Sequence, residues 1–126
     1  MNILQRFSLT DSVAVVTGAG RGIGRAIALA YAQAGADVVL AARTLSDVER
    51  VAQEIRTLGC RALAVSCDVN DAEQRIALIT QAREHMGRIT HLVNNAGGAG
   101  PNDPLTLSVE CFEDIMRFNV SSAYHL

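Results

Sequence analysis

The sequence contains no lysine: all 11 of its basic residues are arginine, and 13 acidic residues outnumber them. Because it has no basic patch or charge run, we expect it to bind neither nucleic acid nor an anionic membrane. No apolar run approaches the roughly 20 residues of a membrane-spanning helix, and residues 1–10 lack the apolar core of a signal peptide. Only three cysteines are present, and the wide spacing of Cys60, Cys67 and Cys111 fits neither a zinc site nor a disulfide framework. We therefore expect no metal site and a cytoplasmic protein in a reducing environment.

Apolar residues, by contrast, make up 49% of the 126 residues, enough for one domain over residues 1–126 with a sizeable core. Short apolar runs alternate with amphipathic segments along the chain. Continuous apolar runs of this length are typical of strands that are buried on both faces of a parallel sheet. Four such strands are expected at Val13–Val16, Val38–Ala42, Ala62–Ser66 and Ile89–Asn94.

An amphipathic segment follows each strand and predicts a helix there. The first three helices are expected to end at Gly35, Gly59 and Gly87, and the last begins near Ser108 and continues to Leu126. The inward-facing residues of the first three are expected to be Ile23, Ile27, Ala30, Tyr31 and Ala34, then Val48, Val51, Ala52, Ile55 and Leu58, and then Ala72, Ile76, Ile79 and Ala82.

Two helix starts carry capping signals, a capping box at Ser46–Glu49 and the pair Asn70 and Glu73. Strands and helices therefore alternate along the whole chain. With right-handed crossovers, this alternation predicts an α/β doubly wound parallel sheet, a Rossmann fold, with strand order 3-2-1-4.

A glycine-rich loop, Thr17–Gly24, joins the first strand to the first helix. Glycines there permit positive φ angles and a close approach of the backbone to a ligand. The helix N-terminus also offers free N–H groups and a positive dipole end to a pyrophosphate. A plain glycine-rich turn is the alternative, but the position of the glycines at a strand-to-helix junction favours a dinucleotide site.

The spacing of this loop is T-G-x-x-x-G-x-G, with Ile23 where the general dinucleotide fingerprint has its third glycine. Two further motifs follow strands, Asp68-Val69 after the third and Asn94–Gly97 after the fourth, and Asn119 lies in the last helix. In this combination the sequence resembles the N-terminal part of the short-chain dehydrogenase/reductase family over essentially its whole length. The run Gly97–Pro101 also resembles hydroxysteroid-dehydrogenase-like members.

The cofactor is predicted from the end of the second strand. An acidic residue about 20 positions beyond the glycine loop binds the ribose 2′-hydroxyl of NAD, but Ala42 stands there and Arg43 follows. Arg43 and Arg21 suit the 2′-phosphate of NADP by charge and by forked hydrogen bonding, and the family resemblance implies the same. The alternative is that Arg43 is a solvated loop residue. Asp47 and Glu49 come too late in the chain and are interpreted as helix-start residues.

The resemblance also implies roles for the motifs at the other strand ends. Asp68 would accept a hydrogen bond from the adenine amino group, with Val69 behind it, and the Asn95–Gly97 backbone would pass the adenosine ribose. Asn94 is expected to be structural, tying neighbouring strands together. The full set of expected cofactor-binding residues is Gly18, Arg21, Ile23, Gly24, Arg43, Thr44, Asp68, Val69, Asn95, Ala96 and Gly97.

For catalysis, the resemblance implies hydride transfer between a nicotinamide and the carbonyl or secondary alcohol of a small molecule. The family uses a serine, a tyrosine, a lysine four residues after it, and an asparagine. A phenol with an ordinary pKa of about 10 needs such a cation to act near neutral pH. Only the asparagine, Asn119, is present: the chain has no Tyr-x-x-x-Lys pair, Tyr124 lies too close to Leu126, and Ser121 and Ser122 come too early. We expect Asn119 to be the one catalytic residue and the chain alone to be inactive.

Asn119 lies in an apolar stripe of the last helix, and a buried amide there must be hydrogen-bonded. The stripe consists of Phe112, Ile115, Met116 and Ala123. In the family this helix packs in a subunit interface and later strands cover the fourth, so the resemblance implies a homo-oligomer, a dimer or tetramer. We expect the natural enzyme to be about twice this length.

Two other functions stay open: a non-catalytic NADP-binding or interaction module, and a methyltransferase, which would need an acid at the end of the second strand.

Overall fold

Four short strands form one parallel sheet in the computed structural model, which describes residues 1–126. The strands are β1 (Val13–Thr17), β2 (Asp37–Ala42), β3 (Ala62–Ser66) and β4 (His91–Val93). Their order is β3-β2-β1-β4, and every pairing is parallel. The predicted α/β doubly wound sheet with order 3-2-1-4 is therefore confirmed.

Helices connect the strands and flank the sheet. They are α1 (Ile3–Arg6), α2 (Gly22–Gln33), α3 (Leu45–Thr57), α4 (Ala72–Met86), α5 (Val109–Met116) and α6 (Ser122–His125), with a π-helical turn at Arg117–Ser121 between α5 and α6. No helix combines the length and the apolar character that a bilayer crossing requires.

The central strands β1 and β2 are buried on both faces, as their continuous apolar runs predicted, whereas the edge strand β4 has no buried residue. On one face, Leu40 of β2 belongs to the same apolar cluster as Ile55 of α3. On the other face, Val39 belongs to a cluster with Leu78 of α4. These four side chains are fully buried, and burial of each contributes about 1.5–3 kcal/mol. The central strands are therefore packed between helices on both faces of the sheet. This packing fixes the position of the sheet edge at which those strands end.

The buried face of α2 differs from the prediction. Gly24, Ala28 and Ala32 are buried, whereas Ile23 and Ala30 are exposed. The predicted Ile27 and Tyr31 are half-buried and pack against the same core cluster, but the fully packed positions of α2 carry small residues, which lets this helix lie close to the sheet. This close approach matters for the site, since it brings the N-terminus of α2 to the end of β1.

The inward face of α4 is also shifted from its predicted position. Leu78, Ala82 and Met86 are buried, while Ala72 and Ile76 are exposed. Only the second half of α4 packs on the sheet. Its first half borders an open groove next to the end of the last helix, so apolar spacing alone did not identify the packed face.

The N-cap of α4 is Asp71 and not the predicted Asn70. Its carboxylate accepts hydrogen bonds from the backbone N–H groups of Glu73 and Gln74, at 2.9 and 3.1 Å. These bonds, chiefly the one from the Gln74 backbone, lower the pKa of Asp71. Because the folded state favours the carboxylate, this contribution to stability is present above the ordinary carboxyl pKa and is lost as the pH falls through the lowered value.

Strand β4 is shorter than the predicted Ile89–Asn94, and side-chain hydrogen bonds flank it at both of its ends. At one end, Thr90 Oγ1 accepts from the Val13 N–H at 2.9 Å. At the other end, Thr17 Oγ1 accepts from the Asn95 N–H at 3.1 Å. The second of these bonds leads directly into the functional site.

Candidate nucleotide-binding site

A cleft of about 490 Å³ opens at the edge of the sheet where the four strands end. All 11 residues that the sequence predicted to bind the cofactor line this cleft. Six further residues line it as well, namely Gly20, Gly22, Ala42, Asp47, Cys67 and Phe118. Sequence reasoning missed Asp47 and Phe118 as lining residues because α3 and the last helix bring them to the cleft by tertiary packing, which leaves no local signal.

The glycine loop lies flat against the ends of β1 and β4 because its glycines remove side chains at crowded points. Gly18 has a φ of +63°, in the left-handed region that favours glycine. At Gly24, a Cβ would collide with the carbonyl oxygen of Gly18 and would lie 2.5 Å from the side-chain nitrogen of Asn95. The loop backbone therefore forms one wall of the cleft, with no side chain between it and a ligand.

The N-terminus of α2 faces the same cleft. Arg21 occupies the N-cap position and makes no side-chain capping hydrogen bond. The N–H groups of the first helical turn, which includes Ile23 and Gly24, have no acceptors within the helix. These N–H groups and the positive end of the helix dipole suit a pyrophosphate.

Thr17 and Asn95 hold the glycine loop to the end of β4. The buried Thr17 hydroxyl accepts hydrogen bonds from the backbone N–H groups of Asn95 (3.1 Å) and Ala96 (3.0 Å). In return, Asn95 Nδ2 donates to the carbonyl oxygens of Thr17 (3.1 Å) and Gly18 (3.2 Å). The side chain of Asn95 is therefore structural, although the residue lines the cleft.

We expect Thr17→Val to destabilise the chain by about 1–3 kcal/mol, because at nearly constant side-chain volume it removes the acceptor of the half-buried Ala96 N–H and one of the two acceptors of the Asn95 N–H. Urea denaturation measures this change. Thr17→Ser is the matched control because it keeps the hydroxyl, and it should retain most of the stability. An equal loss in both variants would show that the methyl group matters and the hydroxyl does not.

The turn after β2 forms a positively charged corner of the cleft. Arg21 and Arg43 are both exposed, and neither guanidinium makes an ion pair or a hydrogen bond to another part of the chain. Helix α3 starts at the N-cap residue Thr44, whose side chain makes no capping bond, so the predicted Ser46–Glu49 capping box was wrong. The corner thus presents two unpaired cations beside an uncapped helix start.

The Asp68–Val69 segment also lines the cleft, next to this corner, because it follows β3, the strand that pairs with β2. Asp68 Oδ1 accepts from the Asn70 N–H at 2.9 Å, and the Asp68 N–H donates to Gln74 Oε1 at 2.8 Å. The neighbouring Cys67 is buried, and burial together with the charge of Asp68 raises the pKa of its thiol. The segment is held in place while one carboxylate oxygen of Asp68 stays free of protein partners.

Asn119 lies in the π-helical turn and not in an apolar, buried stripe as predicted, since its side chain is exposed. Its Oδ1 accepts from the Gly98 N–H at 2.9 Å, and its Nδ2 donates to the carbonyl oxygens of Gly98 and Ile115, both at 2.8 Å. A Cβ on Gly97 would lie 2.5 Å from Asn119 Oδ1. The amide therefore ties the last helix to the loop that follows β4, and the local hydrogen bonding expected for it is present.

Other predicted roles at this end of the sheet need correction. Asn94 does not tie neighbouring strands together; its Nδ2 donates to the Ala123 carbonyl oxygen at 3.4 Å, and Asn95 makes the strand tie instead. The apolar residues Phe112 and Met116 of α5 are exposed. Tyr124 is 86% exposed and does not line the cleft.

A parallel sheet whose first strand leads through a glycine loop into a helix, with a cleft at the carboxyl ends of the strands, defines the Rossmann class of nucleotide-binding domains. Within that class, residues 12–126 match the family described as short chain dehydrogenase. The chain therefore belongs to the short-chain dehydrogenase family, and the resemblance seen in the sequence is confirmed.

Two curated relatives show how much of the family this chain represents. An uncharacterized oxidoreductase of Mycobacterium tuberculosis (strain CDC 1551 / Oshkosh) is 48% identical over 124 residues, which cover 98% of this chain and 47% of the relative. The 7alpha-hydroxysteroid dehydrogenase of Escherichia coli (strain K12) is 39% identical over 118 residues, covering 94% and 46%. The chain thus spans about half the length of the curated relatives it matches.

Solved structures agree with this assignment. A short-chain type dehydrogenase/reductase from Mycobacterium marinum has a TM-score of 0.93 at 37% identity, over 98% of this chain and 49% of the other. A 7 alpha-hydroxysteroid dehydrogenase in complex with NADH and 7-oxo glycochenodeoxycholic acid has a TM-score of 0.94 at 37% identity, over 99% and 49%.

Proposed function

We propose that this chain is the NADP-binding part of an oxidoreductase that moves a hydride between the nicotinamide and the carbonyl or secondary alcohol of a small molecule. The observation that carries the proposal is the cleft, in which the glycine loop, Arg43, Asp68 and the Asn95–Gly97 backbone converge from four strand ends. Dinucleotides bind at this edge of doubly wound sheets, where the strand order reverses.

In this proposal each wall of the cleft binds a different part of the dinucleotide. The amides at the start of α2 hold the pyrophosphate, and Gly18 and Gly24 allow its close approach. The free carboxylate oxygen of Asp68 accepts from the adenine amino group, and Val69 packs behind the ring. The backbone from Asn95 to Gly97 lines the ribose.

The choice of NADP rests on the corner at the end of β2. Ala42 has no group that could accept a hydrogen bond from a ribose 2′-hydroxyl, as an acid at this point would. The guanidiniums of Arg21 and Arg43 have no protein partner, so a 2′-phosphate can receive charge-assisted, forked hydrogen bonds from them. The solved 7 alpha-hydroxysteroid dehydrogenase holds NADH, so the cofactor choice of this chain depends on its own residues.

The proposed enzyme requires groups that this chain does not supply. NADP, when bound, would supply the hydride chemistry, and the chain's own residues would bind and orient it. Asn119 is the one member of the family's catalytic set present, and we assign it the role of fixing the Gly98 backbone beside the cleft.

The proposal also includes a cytoplasmic homo-oligomer, a dimer or tetramer, in which a partner subunit covers the exposed apolar residues of α5.

A second candidate is a non-catalytic NADP-binding or interaction module. The observation that favours it is the lack of any lysine, and hence of a Tyr-x-x-x-Lys pair, in the chain. Both candidates share the nucleotide site. They differ in whether a protein that carries this chain turns over a carbonyl substrate.

Arg43→Ala should reduce NADPH affinity roughly 10- to 100-fold and leave NADH affinity nearly unchanged, since it removes hydrogen bonds to a charged group that NADH lacks. Isothermal titration calorimetry with both nucleotides measures this. Arg83→Ala, which removes an exposed arginine outside the cleft, is the matched control and should alter neither affinity. Equal affinity of the parent chain for NADPH and NADH would refute the NADP assignment.

A further inference from the structure

Asp47 stands against the glycine loop, in the positively charged corner of the cleft. A Cβ built on Gly20 would lie 2.8 Å from the Cβ of Asp47 and 3.7 Å from the Cβ of Ala42. Gly20 therefore packs closely between the end of β2 and the first turn of α3, where there is no room for a side chain. Because Arg21 follows Gly20 and Arg43 follows Ala42, two guanidiniums and one carboxylate share this corner.

The carboxylate of Asp47 is weakly neutralised. Its ion pair is with Arg50, at 3.3 Å between Arg50 Nη2 and Asp47 Oδ1. The Arg50 side chain is 64% exposed, and Arg50 does not line the cleft. Solvent screens a pair of this kind, and such pairs contribute little. Asp47 therefore places negative charge in the space that Arg21 and Arg43 make positive.

We propose that Asp47 is a specificity-determining residue that weakens the binding of a phosphorylated ribose in this corner. The inference rests on the proposed NADP site and refines it. A phosphate monoester carries between one and two negative charges at neutral pH, and the carboxylate repels it. NAD has only a hydroxyl at that position and is hardly affected. Asp47 thus reduces the difference between the NADP and NAD affinities that the two arginines create. Because affinity changes act mainly through the dissociation rate, it also speeds the release of NADP.

Two other roles for Asp47 predict different results. As an acid in the first turn of α3, it stabilises the helix through the helix dipole, and loss of that role alone lowers stability without separating the two nucleotides. As an acceptor for a ribose hydroxyl, it would strengthen NADH binding. The comparison of NADPH with NADH therefore distinguishes all three roles.

The test compares NADPH and NADH affinities of the parent chain, Asp47→Asn and Asp47→Ser by isothermal titration calorimetry. Two substitutions are used so that poor folding of one does not decide the result. Glu49→Gln is the matched control, because Glu49 lies in the same helix, pairs with Arg56 at 2.7 Å and does not line the cleft. We expect both Asp47 variants to bind NADPH about three- to tenfold more tightly and NADH within about twofold of the parent. The gain should shrink as salt is raised towards about 1 M, where the screening length is about 3 Å.

Each other outcome overturns the inference. Unchanged affinity for both nucleotides shows that Asp47 is a helix-start residue only. Weaker NADH binding shows that Asp47 accepts a hydrogen bond from the ribose. If the parent chain prefers NADH, the proposed NADP site is refuted whatever the variants do. If the parent prefers NADPH but the Asp47 variants leave both affinities unchanged, only the role of Asp47 is refuted.

Discussion

The 126-residue chain, purified and verified by mass, should show no hydride transfer from NADPH to any carbonyl compound above the uncatalysed rate. General acid–base catalysis contributes about 10²- to 10⁴-fold, and the family's proton donor is a tyrosine whose pKa is lowered by a lysine. This chain has no lysine, and Tyr124 lies on the surface outside the cleft. NADPH oxidation with a panel of ketones and aldehydes, followed by absorbance, measures the rate.

The assay needs two controls, one for the nucleotide site and one for the reagents. Calorimetry must first show that the same preparation binds NADPH, so that inactivity cannot come from an unfolded chain. A full-length short-chain dehydrogenase assayed beside it shows that the substrates are competent. Stereospecific turnover by the verified chain would contradict the account, because it would require a proton donor that the family's chemistry does not identify here.

Gly24→Ala should destabilise the chain by about 3 kcal/mol and abolish nucleotide binding. The new Cβ would collide with the Gly18 carbonyl oxygen and approach the Asn95 side-chain nitrogen, and overpacking typically costs about 1–3 kcal/mol. To relieve the collision, the loop must move away from the start of α2, which disrupts the pyrophosphate wall. Urea denaturation and calorimetry with NADPH measure the two effects.

Gly87→Ala is the matched control for this substitution. Gly87 ends α4 with a φ of +83°, and no atom lies within 4 Å of the position of its Cβ. Alanine there should therefore cost only about 1–2 kcal/mol of left-handed backbone strain and leave nucleotide affinity intact. If Gly24→Ala behaved like Gly87→Ala in both measurements, the close packing of the loop on the helix would be disproved.

The fold was predictable because a parallel sheet has a simple sequence pattern. Strands buried on both faces read as continuous apolar runs, and β2 and β3 fall within one residue of their predicted bounds. Which face of a helix packs was harder to predict. Ile23 and Ile76 are large and apolar yet exposed, because the distance and position of each helix on the sheet are set by tertiary packing and not by its own spacing.

The nucleotide site was predictable for a related reason. Parallel strands end at the same edge of a sheet, so motifs that follow strands in the sequence must meet there, and Gly18, Arg43, Asp68 and Asn95 do. The approach of Asp47 was not predictable, since its distance from the glycine loop depends on how α3 packs. The π-helical turn around Asn119 was missed because it leaves no pattern in the sequence, and the bond from Asn119 to Gly98, 21 residues away, was missed because it depends on tertiary packing.

We propose that Arg21 and Arg43 bind the 2′-phosphate of NADP in the corner at the end of β2. A crystal structure of the chain with NADP⁺ tests it most directly. We predict the 2′-phosphate within about 3 Å of the guanidinium nitrogens of Arg21 and Arg43, with the pyrophosphate at the start of α2. A nucleotide whose 2′-phosphate points into solvent, away from both arginines, would contradict the claim.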